Sequence, residues 1–365
     1  MFKTPMRLAD GRELIYYDDA AGEVRTLHDA RDLEPPMPSP QIRYDPIQDE
    51  WVVIASHRQA RTHLPPADEC PLCPSEADRQ TEIPSSDYDV VVFENRFPSL
   101  SMEAPDVVDE DTLLSRRPGI GRCEVLCYTS DHGSAFSQLS PQRLSTVGAV
   151  WVDRTVELGK LPGVEYVFCF ENRGEDIGVT LHHPHGQIYG YPFVPPRVVR
   201  ALDSAERYRD RTGACVFCDV VKHEVAGERV IAATDGFVAF VPSAPRWPFE
   251  VHVYARAHVA DLPALSAAQR DEVVALQADV LGRFDRIFNR EMPYISGWVQ
   301  APVHDRRDLS HLRLEIFSAR RSPTKLKFLA GSESAAGVFV NDVLPEDAAQ
   351  RLREAGRNDG AERLG

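Results

Sequence analysis

The chain has 365 residues and a mass of 40.8 kDa, a length that favours two domains or one large one. Its 43% hydrophobic and 27% charged residues suit a protein with a sizeable core, and no stretch approaches the ~20 apolar residues of a membrane span. A net charge of −15 argues against a general nucleic-acid or anionic-membrane binder. No apolar segment follows Lys3 as a secretory signal would require, so the seven cysteines are expected to be reduced thiols or metal ligands in a cytoplasmic protein.

The first predicted element is a short hairpin around Asp10-Gly11, inside an N-terminal extension of residues 1–40 that ends in a proline-rich linker. Runs of β-branched and aromatic residues then predict strands at 51–55, 89–93 and 124–128. A helix is predicted to begin at Ser140-Pro141, because serine is a favoured N-cap and proline is tolerated at the first helical position.

An internal repeat organises the rest of the chain. Residues 123–132 and 249–258 share Glu, Val, Tyr and His at equivalent places, and a helix-starting serine follows each segment by eight residues. A Cys-x-x-Cys pair precedes each copy, and a second histidine follows the first by 51 residues in one copy and 53 in the other. We therefore predict an α+β fold of two tandem modules, each an antiparallel sheet packed by helices. Their expected bounds are 41–212 and 213–342, with a C-terminal helix and tail at 343–365.

The repeat also assembles two sets of metal-ligand residues. The two-residue gap of a Cys-x-x-Cys pair lets both thiolates bind one tetrahedral ion, and each copy supplies two histidines to complete it. Closed Cys2His2 sets predict structural zinc, one or two ions per chain. No organic cofactor is expected. Redox pairs or plain buried thiols are the alternative, although neither pair has a thioredoxin-like context. The predicted sets are Cys70, Cys73, His132 and His183 for the first zinc, and Cys215, Cys218, His258 and His311 for the second.

The segment His183-Pro184-His185-Gly186-Gln187 is the strongest catalytic candidate. Alternating strand residues point to one face, so His185 is expected beside the metal-anchored His183, with Gln187 next to it. A neutral imidazole is a competent nucleophile near neutral pH, and attack on phosphorus would give a covalent intermediate. The second copy has Arg313 and Glu315 at the matching places, so chemistry is expected in the N-terminal copy alone. A structural or plain metal-binding strand is the alternative.

These motifs together resemble a known family. The His183–Gln187 segment, the preceding Phe170-Glu171-Asn172-Arg173-Gly174, the Cys70-Pro71-Leu72-Cys73 pair and residues 51–61 are similar to galactose-1-phosphate uridylyltransferase, the transferase branch of the histidine triad superfamily. The resemblance runs from about Arg43 to Arg353. It implies two histidine-triad-like modules, the first catalytic and the second not. The second Cys2His2 set resembles the branch that contains plant ADP-glucose phosphorylase.

The resemblance also implies an activity and a set of site residues. UMP would pass between UDP-glucose and galactose-1-phosphate by a ping-pong mechanism through a uridylyl-histidine at His185, in the Leloir pathway of galactose metabolism. Gln187 would be its phosphate-side partner, and UDP-glucose, UDP-galactose and hexose-1-phosphates would be the ligands of a homodimer with shared active sites. The implied substrate-binding residues are Arg58, Arg61, Asn95, Asn172 and Thr180, with Lys327, Phe328 and Glu333 reaching the sugar from the partner subunit.

Two alternatives remain open at this point. An adenylyl transferase or phosphorylase acting on ADP-sugars would share the nucleophile and the zinc and differ in the base pocket. A zinc-stapled interaction module would have no chemistry and would give His185 only a packing role. Neither alternative requires a nucleic acid or a membrane as partner.

Overall fold

The computed structural model describes residues 1–21, 25–60, 64–109 and 111–362. Its strands are β1 Phe2–Arg7, β2 Glu13–Asp18, β3 Gln41–Asp45, β4 Glu50–Ile54, β5 Val90–Glu94, β6 Arg116–Pro118, β7 Arg122–Cys127, β8 Tyr166–Arg173, β9 His185–Tyr191, β10 Val230–Ala233, β11 Phe237–Phe240, β12 Phe249–Ala255, β13 Tyr294–Val299, β14 Arg313–Ser318, β15 Arg320–Ser322 and β16 Lys325–Leu326. Its helices are α1 Pro141–Gly159, α2 Pro196–Thr212, α3 Val216–Val225, α4 Ala267–Ile287, α5 Gly331–Ser334 and α6 Pro345–Glu362. None of the helices described is both long and apolar enough to span a bilayer.

Eleven strands form one antiparallel sheet in the order β1-β2-β5-β7-β9-β8-β13-β14-β12-β11-β10. The central pair of this sheet is β8 and β13. Counted outward from it, the strand order is β8, β9, β7, β5 on one side and β13, β14, β12, β11 on the other, so the two halves correspond strand by strand. The repeated segments of the sequence are therefore β7 and β12, as the repeat predicts, and the α+β tandem fold is confirmed. The two modules do not keep separate sheets, since β8 pairs with β13, with Arg173 opposite Tyr294 and Phe170 opposite Gly297.

One face of the sheet is covered by α1, α4 and α6, and it forms the main core. Val147 and Trp151 of α1 and Leu281 of α4 are buried against apolar strand residues. The helix predicted at Ser140-Pro141 is confirmed, because the Ser140 side chain accepts a hydrogen bond from the Arg143 backbone N–H. Its counterpart α4 begins with a complete capping box at Ser266. Because strand side chains alternate between faces, the other residues of these strands point to the opposite face, where α2 and α3 cover part of the sheet and cavities lie over the rest.

The predicted N-terminal hairpin is present as β1 and β2, with Gly11 at φ +86° in the turn. However, β2 pairs with β5, so the hairpin extends the sheet of the N-terminal module instead of standing apart as a peripheral extension. The reason is apolar burial: Leu14, Ile15 and Tyr16 are each at most 3% exposed. The predicted strand at 51–55 is β4, which belongs to a separate three-stranded sheet with β3 and β6. A 3-10 helix, Ser56–Ala60, follows it and places Arg58.

Candidate active site

The first predicted metal set is assembled in the N-terminal module. One donor atom from each of Cys70, Cys73, His132 and His183 lies within 4.8 Å of the others. Cys73 Sγ lies 3.3 Å from His132 Nδ1 and 3.5 Å from His183 Nδ1. Both imidazoles thus present Nδ1 to the thiols, as ligands of one tetrahedral ion would.

The surroundings of His183 fit a bound cation. Its Nε2 lies 2.8 Å from the carbonyl oxygen of Thr129, which orients the ring and leaves Nδ1 with its lone pair toward the cysteines. Burial lowers the pKa of His183 to about 4 and raises the pKa of Cys73 to about 12. A buried thiolate is costly unless a cation compensates its charge, and Zn²⁺ suits a Cys2His2 donor set.

The second predicted set repeats this arrangement in the C-terminal module. The donor atoms of Cys215, Cys218, His258 and His311 also lie within 4.8 Å of one another. Cys218 Sγ is 3.5 Å from His258 Nδ1 and 3.7 Å from His311 Nδ1, while His311 Nε2 is 2.7 Å from the Ala255 carbonyl oxygen. Ala255 occupies the place that Thr129 has in the first copy. The set is more open than the first, because its cysteines are half-buried and His258 is exposed.

His185 begins β9, opposite Cys127 of β7, directly beside the first metal set. Its Nδ1 lies 2.8 Å from the carbonyl oxygen of His183, so Nδ1–H can donate there and Nε2 keeps its lone pair. Burial lowers the pKa of His185, which favours the neutral, nucleophilic imidazole. The half-buried ring lies in the walls of two cavities.

The residue between the two predicted catalytic side chains must be a glycine. A Cβ on Gly186 would lie 2.2 Å from the Tyr128 hydroxyl oxygen and 2.9 Å from the Phe170 carbonyl oxygen. The close approach of Tyr128 and β8 therefore excludes any side chain at this position. These contacts also pack the backbone between His185 and Gln187 closely against Tyr128 and β8.

The first cavity, about 320 Å³, brings most of the predicted site together. It is lined by His185 and Gln187 and by every described residue predicted to bind substrate in the N-terminal module, namely Arg58, Asn95, Asn172 and Thr180. Arg61 lies outside the described residues. The Arg58 guanidinium donates to the hydroxyl oxygen of Ser99. The cavity therefore brings together an imidazole, a guanidinium and several amide and hydroxyl groups.

Aromatic side chains that the sequence reasoning missed line the same cavity. They are Phe93, Phe97, Phe170 and Tyr189. Phe93 and Phe97 each stand two residues from Asn95, so the segment from which the resemblance implies Asn95 at the nucleotide could have indicated them as well. Flat apolar walls beside polar groups suit a planar ring attached to an anionic chain.

The cavity also contains an acidic residue that was not predicted. Glu82 forms a buried ion pair with Arg12, and its carboxylate lies 3.0 Å from Arg31 and 3.4 Å from Arg96. Burial by itself would raise the pKa of Glu82, but Arg12 and Arg31 outweigh it and lower that pKa. These partners are separated by up to 70 residues along the chain, so no local pattern could have indicated the cluster.

A second, more polar cavity of about 520 Å³ lies on the other side of His185. Its walls include Arg173 at the end of β8 and residues 174–176 of the loop that follows, together with Arg290 and Arg320 of the C-terminal module. Asn172 and His185 line both cavities. The nucleophile candidate therefore stands between an aromatic pocket and a charged one.

Lys327, Phe328 and Glu333 do not line either cavity. Lys327 Nζ lies 3.3 Å from the Glu333 carboxylate and also donates to the Val340 carbonyl oxygen. Phe328 is 76% exposed. Within one chain these residues lie apart from both cavities, with Lys327 buried and Phe328 exposed, so their predicted role at the sugar requires a second subunit.

The C-terminal copy has no histidine at the place of His185. Arg313 Nε lies 2.9 Å from one oxygen of Glu315, and Arg197 lies 2.7 Å from the other. Burial by itself would raise the pKa of Glu315, but Arg313 above all lowers it to about 2. One carboxylate held between two guanidiniums thus stands where the first copy has an imidazole and an amide.

Two family models match the chain over most of its length. The model for the galactose-1-phosphate uridyl transferase N-terminal domain matches residues 32–195, and the model for the C-terminal domain of the same family matches residues 201–361. The change from one model to the other falls between residues 195 and 201, in the first turns of α2, whereas the boundary predicted from the repeat is at 212.

Individual relatives give the same result. A galactose-1-phosphate uridylyltransferase of Streptomyces lividans is 42% identical over 97% of this chain and 98% of its own length. One from Thermotoga maritima is 37% identical over 86% of this chain and 98% of its own length. A solved structure of a uridylyltransferase superposes with a TM-score of 0.78 at 30% identity, covering 87% of this chain and 99% of the other.

Proposed function

This chain belongs to the galactose-1-phosphate uridylyltransferase family, and from that premise we propose that it exchanges UMP between UDP-glucose and galactose-1-phosphate through a covalent uridylyl-histidine at His185. The observation on which the proposal rests is the placement of His185. Its Nδ1 meets the carbonyl oxygen of His183, and its ring stands at the wall between the two cavities. In the galactose pathway (Leloir pathway) this exchange would convert galactose-1-phosphate to UDP-galactose.

The proposed transfer has two steps. In the first, the Nε2 lone pair of His185 attacks the α-phosphorus of UDP-glucose, and the bond from that phosphorus to the bridging oxygen breaks, releasing glucose-1-phosphate. In the second, a phosphate oxygen of galactose-1-phosphate attacks the same phosphorus and the Nε2–P bond breaks, giving UDP-galactose. The proton on Nδ1 stays on its hydrogen bond to His183 throughout, so the attacking nitrogen needs no separate base.

Different residues of the cavity would bind different parts of the substrate in these steps. The aromatic walls would bind the uracil ring, with Asn95 as a polar contact at the nucleotide. Arg58 would pair with a phosphate, which matters in a chain whose net charge is −15. Asn172, Thr180 and Gln187 would donate to the phosphoryl oxygens, whose charge grows as the Nε2–P bond forms.

Both Cys2His2 sets are proposed to bind structural zinc. Bound at the first set, the ion would link the Cys70 loop, the segment after β7 and the strand that bears His185. Four protein donors would fill the coordination positions of a tetrahedral ion, so the metal would orient the strand of His185 without contacting phosphate. The second ion would fasten α3 to the sheet of the C-terminal module.

We also propose a homodimer with shared active sites. In one chain Lys327, Phe328 and Glu333 lie outside both cavities, and the same loop exposes Leu329, Val338 and Val340. An exposed apolar loop of this kind fits burial against a second copy. Mixing inactive Lys327→Ala subunits with inactive His185→Ala subunits should restore part of the activity, because one site of the mixed dimer has both residues intact. No recovery, or an active monomer by sedimentation, would contradict the shared site.

An exchange assay separates this function from its rival within the superfamily. With UDP-glucose as donor and galactose-1-phosphate as acceptor, UDP-galactose should form, and ADP-glucose should be a poor donor in the same assay. Preference for ADP-glucose, or for phosphate as acceptor, would favour an adenylyl transferase or phosphorylase. No exchange with any donor would favour the module without chemistry, against which family membership already argues.

A further inference from the structure

The loop that joins Asn172 to Thr180 lines both cavities and has two glycines at its turns. Gly174 has φ +98° and Gly178 has φ +83°, on either side of a single 3-10 turn, Glu175–Ile177. Backbone in this region is accessible to glycine at little cost, and glycine also increases the number of conformations that the free loop can adopt. A loop of this kind needs contacts from outside itself to present Thr180 in one place.

Those contacts come from the C-terminal module. A Cβ on Gly174 would lie 2.9 Å from Pro293 Cβ, so Pro293 packs directly on the first turn of the loop. On its N-terminal side, Arg173 makes a two-pronged pair with Asp285 of α4, at 3.0 and 2.6 Å. Within the 3-10 turn, Asp176 forms an ion pair with Arg320.

Arg320 is itself firmly placed. It is 5% exposed and stands at the start of β15, just after the strand that matches β9 in the second copy. Its Nη1 donates to the Pro323 carbonyl oxygen at 3.1 Å, and its backbone N–H donates to Ser318 Oγ at 3.1 Å. The guanidinium of Arg320 is therefore held in place by neighbouring residues. Because its ion pair with Asp176 is directional, it fixes the position of that carboxylate closely.

We propose that Arg320 is a positioning residue for the transfer at His185: through Asp176 it fixes the Gly174–Thr180 loop, so that Asn172 and Thr180 face the transferred phosphoryl group. The C-terminal module, which has no histidine nucleophile of its own, thereby acts on the chemistry of the N-terminal one. The inference rests on the proposed function, because it assumes that the loop contacts the phosphoryl group. Asp176 and Arg320 are 144 residues apart in the chain.

The test is the single-turnover rate at which UDP-glucose uridylylates His185, measured by intact mass in Asp176→Asn and Arg320→Lys. Each variant should slow this step about tenfold or more, since small displacements of positioning groups have effects of this size or larger. The double variant should be no slower than the slower single one, because both changes break the same contact. Arg229→Gln is the matched control: Arg229 pairs with Glu224 at 2.7 Å and Glu346 at 3.0 Å, away from both cavities, and its loss should affect melting but not the rate.

The possible results distinguish failure of the proposed function from failure of the positioning role. Failure of the wild-type protein to become labelled would refute the proposed function itself. Normal labelling of the wild type with an unchanged rate in Asp176→Asn would overturn the positioning role alone. Losses that multiply in the double variant, or an equal slowing in Arg229→Gln, would also overturn it, because the effect would then not pass through this ion pair.

Discussion

Replacing His185 with alanine should lower the rate of UMP exchange by at least about 10⁴-fold while leaving the protein folded. The reason is that the alanine variant has no nitrogen at the wall between the two cavities, so the covalent route is closed. His185 is half-buried and its Nδ1 meets the carbonyl oxygen of His183 two residues away, so the fold should tolerate loss of the imidazole. The measurement is steady-state exchange of UDP-glucose with galactose-1-phosphate, alongside thermal unfolding.

His304→Ala is a suitable control for that variant. His304 is an exposed histidine of the C-terminal module and lines neither cavity, so its loss should leave the exchange rate unchanged. If His185→Ala kept even one tenth of the wild-type rate, a uridylyl-histidine at this position would be ruled out as the main route.

The second large effect is expected at the first metal set. His183→Asn should remove one zinc per chain, lower the melting temperature by about 10 °C or more, and abolish exchange. The loss of stability and the loss of exchange have the same cause, which is the loss of the metal. His183 is a proposed ligand through Nδ1, and its backbone carbonyl receives the Nδ1–H of His185, so loss of the metal also releases the nucleophile. Elemental analysis, thermal unfolding and the exchange assay measure the three effects.

His311→Asn is the matched variant in the C-terminal module. It should also remove one zinc of about two per chain and lower the melting temperature, but exchange should stay within a few-fold of wild type at a temperature where the variant is folded. The difference arises because the residues that follow His311 are the ion-paired Arg313 and Glu315 instead of a nucleophile and its amide partner. A wild-type zinc content near one per chain would eliminate the second site. Equal losses of exchange in both variants would contradict the division between the two copies.

Residues at regular spacings could be predicted from the sequence. Both Cys2His2 sets were found because the repeat aligns four landmarks in the same order, and the structure brings each set together. Alternation along one strand was enough to predict that His185 and Gln187 share a cavity. The metal sets span long stretches of chain but are marked by the repeat, whereas His185 and Gln187 are marked by the geometry of a single strand.

Features that depend on distant parts of the chain were not predicted. The pairing of β8 with β13 joins the two modules into one sheet, and nothing in either strand's pattern identifies the other as its partner. The same holds for Glu82 with Arg12, and for Asp176 with Arg320, since an isolated charged residue looks the same whether it is solvated or paired across the fold. The hairpin of β1 and β2 was predicted, but its place at the edge of the sheet follows from burial that only the folded chain shows.

The most direct test of the central claim is to locate the covalent adduct. After incubation with UDP-glucose and removal of free nucleotide, the intact protein should gain the mass of one UMP, and proteolysis should place that mass on the peptide containing His185. Addition of galactose-1-phosphate should then discharge the adduct and release UDP-galactose. Absence of the adduct, or an adduct on any other residue, would contradict transfer through His185.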